Sequence, residues 1–187
     1  EEPWLDMVRR GEWLADGNEK QLEFALKTVD ASKASEVLGV FLKGKAIPED
    51  GSWIEIIGRA GTIAELEQLH SQLIGGEYSQ DGQSRALNSM SFASRNRNIK
   101  PNVDKSSISK FFSSDNEQVK IAALSLAGTW KGLGDAFKEL VSLARAKDLP
   151  PNVRQASIDT IREIGGDKAL QILSLISKSP QMKTRIM

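Results

Sequence analysis

Apolar residues in the second half of this chain form paired stripes with helical spacing. The segment that carries the first stripe of one pair is repeated 34 positions later: Val119, Lys120, Ala122, Ala123 and Leu124 return as Val153, Arg154, Ala156, Ser157 and Ile158. In each copy a Gly-Asp dipeptide then precedes a second stripe, namely Phe137, Leu140, Val141 and Ala144, or Ala169, Ile172, Leu173 and Ile176. Apolar residues at i, i+3, i+4 and i+7 share one face of a helix. Each copy therefore predicts two amphipathic helices that face each other.

Three earlier segments follow the same pattern. Their paired stripes are Leu22, Ala25, Leu26 and Val29 with Ala34, Val37, Leu38 and Phe41; Ile54 and Ile57 with Leu66, Leu69, His70 and Leu73; and Leu87 and Met90 with Ile108, Phe111 and Phe112. In the third segment, a polar loop from Ser94 to Val103 separates the two helices, and Asp104 caps the second. A repeat of this length indicates a solenoid. We predict an all-α, right-handed superhelix of about five helical hairpins.

The predicted boundaries follow these stripes. Residues 1–17 form an N-terminal helical segment or cap, residues 18–179 form the repeats, and residues 180–187 begin a further repeat or form a C-terminal tail. The five predicted repeats are 18–47, 49–76, 81–113, 115–147 and 150–178. Trp4 and Trp13 suggest that the first segment packs on the first repeat. A solenoid normally closes with a polar capping element, and none is visible, so we expect the chain to be a fragment.

The composition excludes several classes of protein and site. Hydrophobic residues make up 40% of the chain and charged residues 27%, which is typical of a folded domain. No apolar run reaches the length of about 18 residues needed for a membrane-spanning helix. The absence of cysteine excludes disulfides, thiol nucleophiles and cysteine-ligated metals. Net charge is zero, but residues 1–80 carry 8 basic against 15 acidic residues, and residues 81–187 carry 17 against 10.

No catalytic, metal-binding or cofactor-binding residue is expected. His70 is the only histidine and belongs to an apolar stripe, so a structural role is favoured over metal binding. Glu65 with Glu67, or Glu49 with Asp50, could be suggested as an acid/base pair, but side chains on a helix diverge by about 100° per residue, so neither pair faces a common substrate.

A basic tract between residues 85 and 110 leaves an alternative open. It contains Arg85, Arg95, Arg97, Lys100, Lys105 and Lys110 against the single acid Asp104. Such a tract could hold backbone phosphates. The neutral whole chain and its acidic first half oppose a polyanion, so nucleic acid is disfavoured as a partner.

The sequence resembles HEAT repeats in the phrase Asn-x-x-Val-Lys/Arg-x-Ala-Ala/Ser-Leu/Ile, which covers Asn116 to Leu124 with a near match at Asn152 to Ile158. The resemblance implies first helices on the outside, second helices lining a concave surface, and a role in holding partners. The short repeats, the Gly-Asp turns and the tract from Gly132 to Asp135 also resemble the HEAT segment of membrane-bound dehydrogenase or haem-binding proteins of planctomycete, verrucomicrobial and Bacteroidetes type. That resemblance implies a bacterial multidomain protein in a periplasmic or extracytoplasmic location. In that family, a sugar-dehydrogenase-like propeller and a cytochrome c module flank the repeats. None of their motifs is present in this sequence, so no haem-binding or catalytic residue is carried over.

We therefore expect a non-catalytic scaffold, without a cofactor, whose partner is a protein or a neighbouring domain. The alternative is a HEAT-like enzyme or nucleic-acid-binding module with a basic groove around residues 85–110. Solvent-facing positions of the second helices are the expected partner-facing residues: Glu65, Gln68, Gln72, Lys138, Ser142, Arg145, Lys168, Gln171 and Ser174.

Overall fold

The computed structural model describes residues 3–13, 18–42 and 44–178, and these residues form ten α-helices and two 3₁₀ helices with no β-strand. The all-α prediction is confirmed. The chain divides into two compact units, unit 1 from Glu1 to Val103 and unit 2 from Asp104 to Met187. The packing inside each unit is that of stacked helices, consistent with an α-α solenoid.

The described residues of unit 1 form six helices: α1 Pro3–Arg9, α2 Glu19–Thr28, α3 Ala31–Leu42, α4 Trp53–Ala60, α5 Ile63–Gly75 and α6 Gln80–Asn96. The first helices α2, α4 and α6 pack in succession, and the second helices α3 and α5 contact them. Three aromatic rings join the N-terminal segment to this stack. The Trp13 and Phe41 ring centroids are 5.8 Å apart, and those of Phe41 and Trp53 are 6.1 Å apart.

Unit 2 begins with a 3₁₀ helix at Lys105–Ser113. It continues with α7 Glu117–Trp130, a short 3₁₀ turn Gly134–Ala136, α8 Phe137–Arg145, α9 Pro151–Ile164 and α10 Gly166–Ser177. The first helices α7 and α9 pack side by side, and α8 and α10 both contact α9. A buried hydrogen bond also links α9 to α7: the Thr160 hydroxyl donates to the carbonyl oxygen of Leu124 at 2.8 Å.

Local sequence explains where the helices of unit 2 begin and end. The side chain of Asn116 accepts hydrogen bonds from the backbone N–H groups of Gln118 and Val119 and so caps α7. Pro151 occupies the first position of α9, where its missing N–H has no cost. Gly165 and Gly166, with φ angles of 71° and 81°, make the sharp turn from α9 to α10.

The third predicted repeat, residues 81–113, differs most from expectation. Helix α6 extends to Asn96, so the loop predicted from Ser94 begins three residues later. The segment capped by Asp104 is a 3₁₀ helix. Its 9 residues make it long for a 3₁₀ helix, and Ile108, Phe111 and Phe112 on it are buried. The boundary between the two compact units falls inside this repeat.

The stripe predicted for α10 is only partly buried. Ala169 and Ile176 are buried, whereas Ile172 and Leu173 are half-buried. This reflects the packing of α10, which contacts α9 along one side. The predicted opening of a further repeat at residues 180–187 lies outside the described residues.

Candidate functional site

Fewer of the expected partner-facing side chains on the second helices are exposed to solvent than the sequence predicts. Glu65 and Gln72 were expected to face solvent, but they are only 9% and 6% exposed. Gln68 on α5 is half-buried. The remaining six positions, Lys138, Ser142, Arg145, Lys168, Gln171 and Ser174, are exposed on α8 and α10 of unit 2.

Glu65 is buried because it ties α5 to the preceding second helix. Its carboxylate accepts hydrogen bonds from the Thr62 backbone at 2.8 Å and the Thr62 hydroxyl at 2.5 Å, which completes a capping box at the start of α5. Its other oxygen accepts a bond from the Ser35 hydroxyl of α3 at 2.7 Å. Burial by itself raises the pKa of Glu65, but the bonds from Thr62 and Ser35 outweigh it and hold the pKa below its ordinary value. We infer that Glu65 positions two helices.

The lowered pKa of Glu65 predicts a dependence of stability on acid. Ionised Glu65 stabilises the fold above the pKa of an unfolded glutamate, about 4.3, and this contribution is lost as the pH falls through the lower folded-state pKa. We expect the free energy of unfolding to decrease below about pH 5, and Glu65→Gln to remove part of that decrease. Urea titrations between neutral and acidic pH measure it. Ser35→Ala should reduce the same acid effect, and an unchanged pH dependence in both variants would contradict this role.

Gln72 is buried because it holds the segment between α3 and α4. Its side-chain oxygen accepts a hydrogen bond from the Ile47 backbone N–H at 2.8 Å, and its amide donates to Glu77 at 3.1 Å. The Tyr78 hydroxyl donates to the Ile47 carbonyl at 3.3 Å, and burial raises the pKa of that hydroxyl. Gln72 therefore anchors this segment.

The other candidates for chemistry have structural surroundings. His70 is 7% exposed and is engaged in an intramolecular interaction. Glu67 accepts a hydrogen bond from the Asn102 backbone, whereas Glu49 accepts bonds from the backbone and hydroxyl of Ser79. The carboxylates of Glu65 and Glu67 thus serve separate contacts. Within the described ranges, no group of three or more histidine or acidic residues is arranged to hold a metal ion.

The basic tract is divided among local contacts. Arg85 forms a bidentate ion pair with Glu55, with N–O distances of 2.7 and 2.8 Å. Arg97 donates to the carbonyl oxygen of Gly58 at 3.2 Å, and burial lowers the pKa of its guanidinium. Lys110 lies over the ring of Phe111, at 4.9 Å from its centroid. The tract itself crosses the boundary between the two units.

A groove of about 220 Å³ lies between the first helices α4 and α6 of unit 1. It is lined by Glu55, Gly58, Arg59, Arg85, Asn88, Ser89 and Phe92. Our sequence interpretation missed Arg59, Asn88 and Phe92. Phe92 falls outside the stripe of Leu87 and Met90, and such an out-of-phase aromatic residue was the available signal. The groove is a second candidate surface. It lies on first helices, whereas the partner was expected to bind the second helices.

Comparison with known proteins bears on unit 2. Residues 107–185 match the family model for HEAT repeats. No curated protein and no solved structure matches the chain. The family match supports a HEAT-repeat protein, whereas no homologue supports the narrower resemblance to dehydrogenase or haem-binding proteins.

The HEAT match includes the two helix pairs whose sequences are most alike, α7 with α8 and α9 with α10. The second helices of these pairs also meet, because the Lys168 ammonium group lies 5.0 Å from the centroid of the Phe137 ring. The exposed HEAT positions of α8 and α10 therefore belong to neighbouring helices. Among the described residues, none of the helices has the length and hydropathy required to cross a bilayer.

Proposed function

We propose that this chain is a non-catalytic scaffold that binds a protein or a neighbouring domain. The observation that carries the proposal is the pair of consecutive HEAT-type hairpins in unit 2, since HEAT repeats commonly serve as protein-interaction scaffolds. The contacts of Glu65 and Gln72 support it, because these polar residues hold helices and connecting segments.

The surface that we propose for this partner consists of the exposed second-helix positions of α8 and α10. These residues are Lys138, Ser142, Arg145, Lys168, Gln171 and Ser174. They combine cationic groups with short polar side chains, which suits a polar, partly acidic partner surface. Gln68 on α5 of unit 1 remains a separate proposed partner-facing residue, although its amide donates to the Lys45 carbonyl at 2.7 Å.

A photo-crosslinking amino acid at Ser142 or Gln171 tests this proposal in the full-length protein in its native host. We expect each position to give a discrete protein adduct, or a link to another domain of the same protein. Gln118 and Gln155 are matched controls, because they are exposed on the first helices α7 and α9. Equal adducts from the control positions, or adducts to nucleic acid, would contradict the proposed surface.

We further propose that the chain belongs to a larger multidomain bacterial protein. The support is the Gly-Leu-Gly-Asp tract at Gly132–Asp135, which resembles HEAT segments that are flanked by a propeller and a cytochrome c module. The reading frame that encodes this chain tests the proposal. Neighbouring propeller or haem-attachment sequences are expected, and a frame that encodes HEAT-type hairpins alone would contradict it.

A further inference from the structure

The groove between α4 and α6 owes its shape to a close approach of two helices. A Cβ atom added to Gly58 would lie 2.8 Å from both the Cβ and the carbonyl oxygen of Ser89. No side chain can therefore occupy the Gly58 position without moving a helix. Gly58 and Ser89 form the floor of the groove, and the longer lining side chains of the same two helices form its walls.

At one end of this groove, Arg85 already binds several acceptors. The Arg85 guanidinium pairs with both oxygens of Glu55 and also donates to the carbonyl oxygens of Glu49 and Gly51. These four bonds use most of its five donors. A ligand that bound here would have to displace an existing ion pair.

The opposite end combines an exposed ring with a cation. Phe92 is 41% exposed, and the Arg59 guanidinium carbon lies 5.9 Å from the centroid of its ring. Asn88 is exposed one turn before Phe92 and provides an amide that can both donate and accept. Arg95 is exposed one turn after Phe92 on the same helix. This end therefore offers apolar area, positive charge and an amide within a few residues.

The charges of the groove favour an acidic occupant. Its lining includes two arginines, Arg59 and Arg85, and one carboxylate, Glu55. Glu55 is bound bidentately by Arg85, and the charge of Arg59 also acts on this carboxylate. The lining as a whole therefore carries one more positive than negative group. Unit 1 as a whole carries 12 basic and 16 acidic residues. The groove lining is thus slightly positive on an acidic unit, which disfavours long polyanions and favours a short acidic segment.

We propose that the α4–α6 groove binds a short protein segment in which an apolar side chain covers Phe92 and a neighbouring carboxylate pairs with Arg59. Burying the exposed ring supplies the apolar contribution, and the planar guanidinium suits a carboxylate. The Asn88 amide can bond to the backbone of the segment. This inference rests on the proposed scaffold function and adds a partner chemistry and a first-helix surface to it.

A library of random seven-residue peptides on phage, selected against the complete chain, tests the proposal. We expect enriched peptides to contain a large apolar residue next to aspartate or glutamate. Arg59→Glu and Phe92→Ser should each weaken the binding of a selected peptide at least tenfold. The matched controls are Phe24→Ser, which removes a 71% exposed phenylalanine from α2, and Arg10→Glu, whose side chain is 61% exposed. Both controls should bind normally, and thermal unfolding should show that all four variants remain folded.

Several results would overturn the inference. They are no enrichment, enrichment of basic peptides, and binding that persists in Arg59→Glu and Phe92→Ser. Tighter binding of oligothymidylate than of any selected peptide, lost in Arg59→Glu, would make the groove a nucleic-acid site instead. If selected peptides lose binding only in Lys138→Glu or Arg145→Glu variants, the scaffold function would survive and the α4–α6 groove would not be its site.

Discussion

Replacing Leu140 by alanine is expected to lower the free energy of unfolding by about 2–5 kcal/mol. Leu140 is fully buried on α8 and belongs to the stripe that packs against α9. Truncating it removes apolar contacts and leaves a cavity that the surrounding helices can only partly fill. Urea denaturation followed by circular dichroism measures the change.

Leu170→Ala is the matched control for this experiment. Leu170 lies on α10 of the same unit but is 65% exposed. The same chemical change should therefore alter stability by no more than about 0.5 kcal/mol. Equal losses in the two variants would mean that the core of unit 2 is assigned to the wrong helix faces. Ile172 is only half-buried, so its truncation should cost less than that of Leu140.

Gly58→Ala is expected to destabilise unit 1 by about 1–3 kcal/mol, although alanine is the better helix former. The reason is the contact between α4 and α6. The added methyl group would lie 2.8 to 2.9 Å from the Cβ, Cα and carbonyl oxygen of Ser89. Two of these are backbone atoms, so the clash is relieved only if a helix moves.

Gly39→Ala provides the opposite expectation inside the same unit. Gly39 lies within α3, and a Cβ atom built there meets no other group within 4 Å. Without a clash, only helix propensity acts, and alanine should stabilise the protein by about 0.5–1 kcal/mol. Thermal or urea unfolding of both variants measures whether each substitution lowers or raises the stability of the protein. A stabilised Gly58→Ala protein would contradict the close approach that shapes the α4–α6 groove.

The short-range features of the fold could be predicted from the sequence. The stripes of Leu66, Leu69 and Leu73 on α5 are buried as expected, because helical periodicity places such residues on one face whatever the rest of the chain does. Asp104 caps its helix by bonding to the Ser106 N–H two residues away. Interactions between residues so close in sequence can be inferred from residue types and spacing.

The candidate sites depend on residues far apart in sequence. Glu65 has the polarity of a solvent-facing residue, and it is buried because Ser35, 30 positions earlier, donates to it. Arg59 and Phe92 lie 33 positions apart and meet only where α4 and α6 pack.

The sequence by itself therefore determined the all-α class, the order of the helices and most of their inward faces, since these follow from periodicity and capping. Tertiary structure alone decided which polar residues are enclosed, where Gly58 brings two helices together and how the chain divides into two units. Those outcomes depend on the distance between neighbouring helices, which is set by the side chains of both partners and cannot be read from either helix alone.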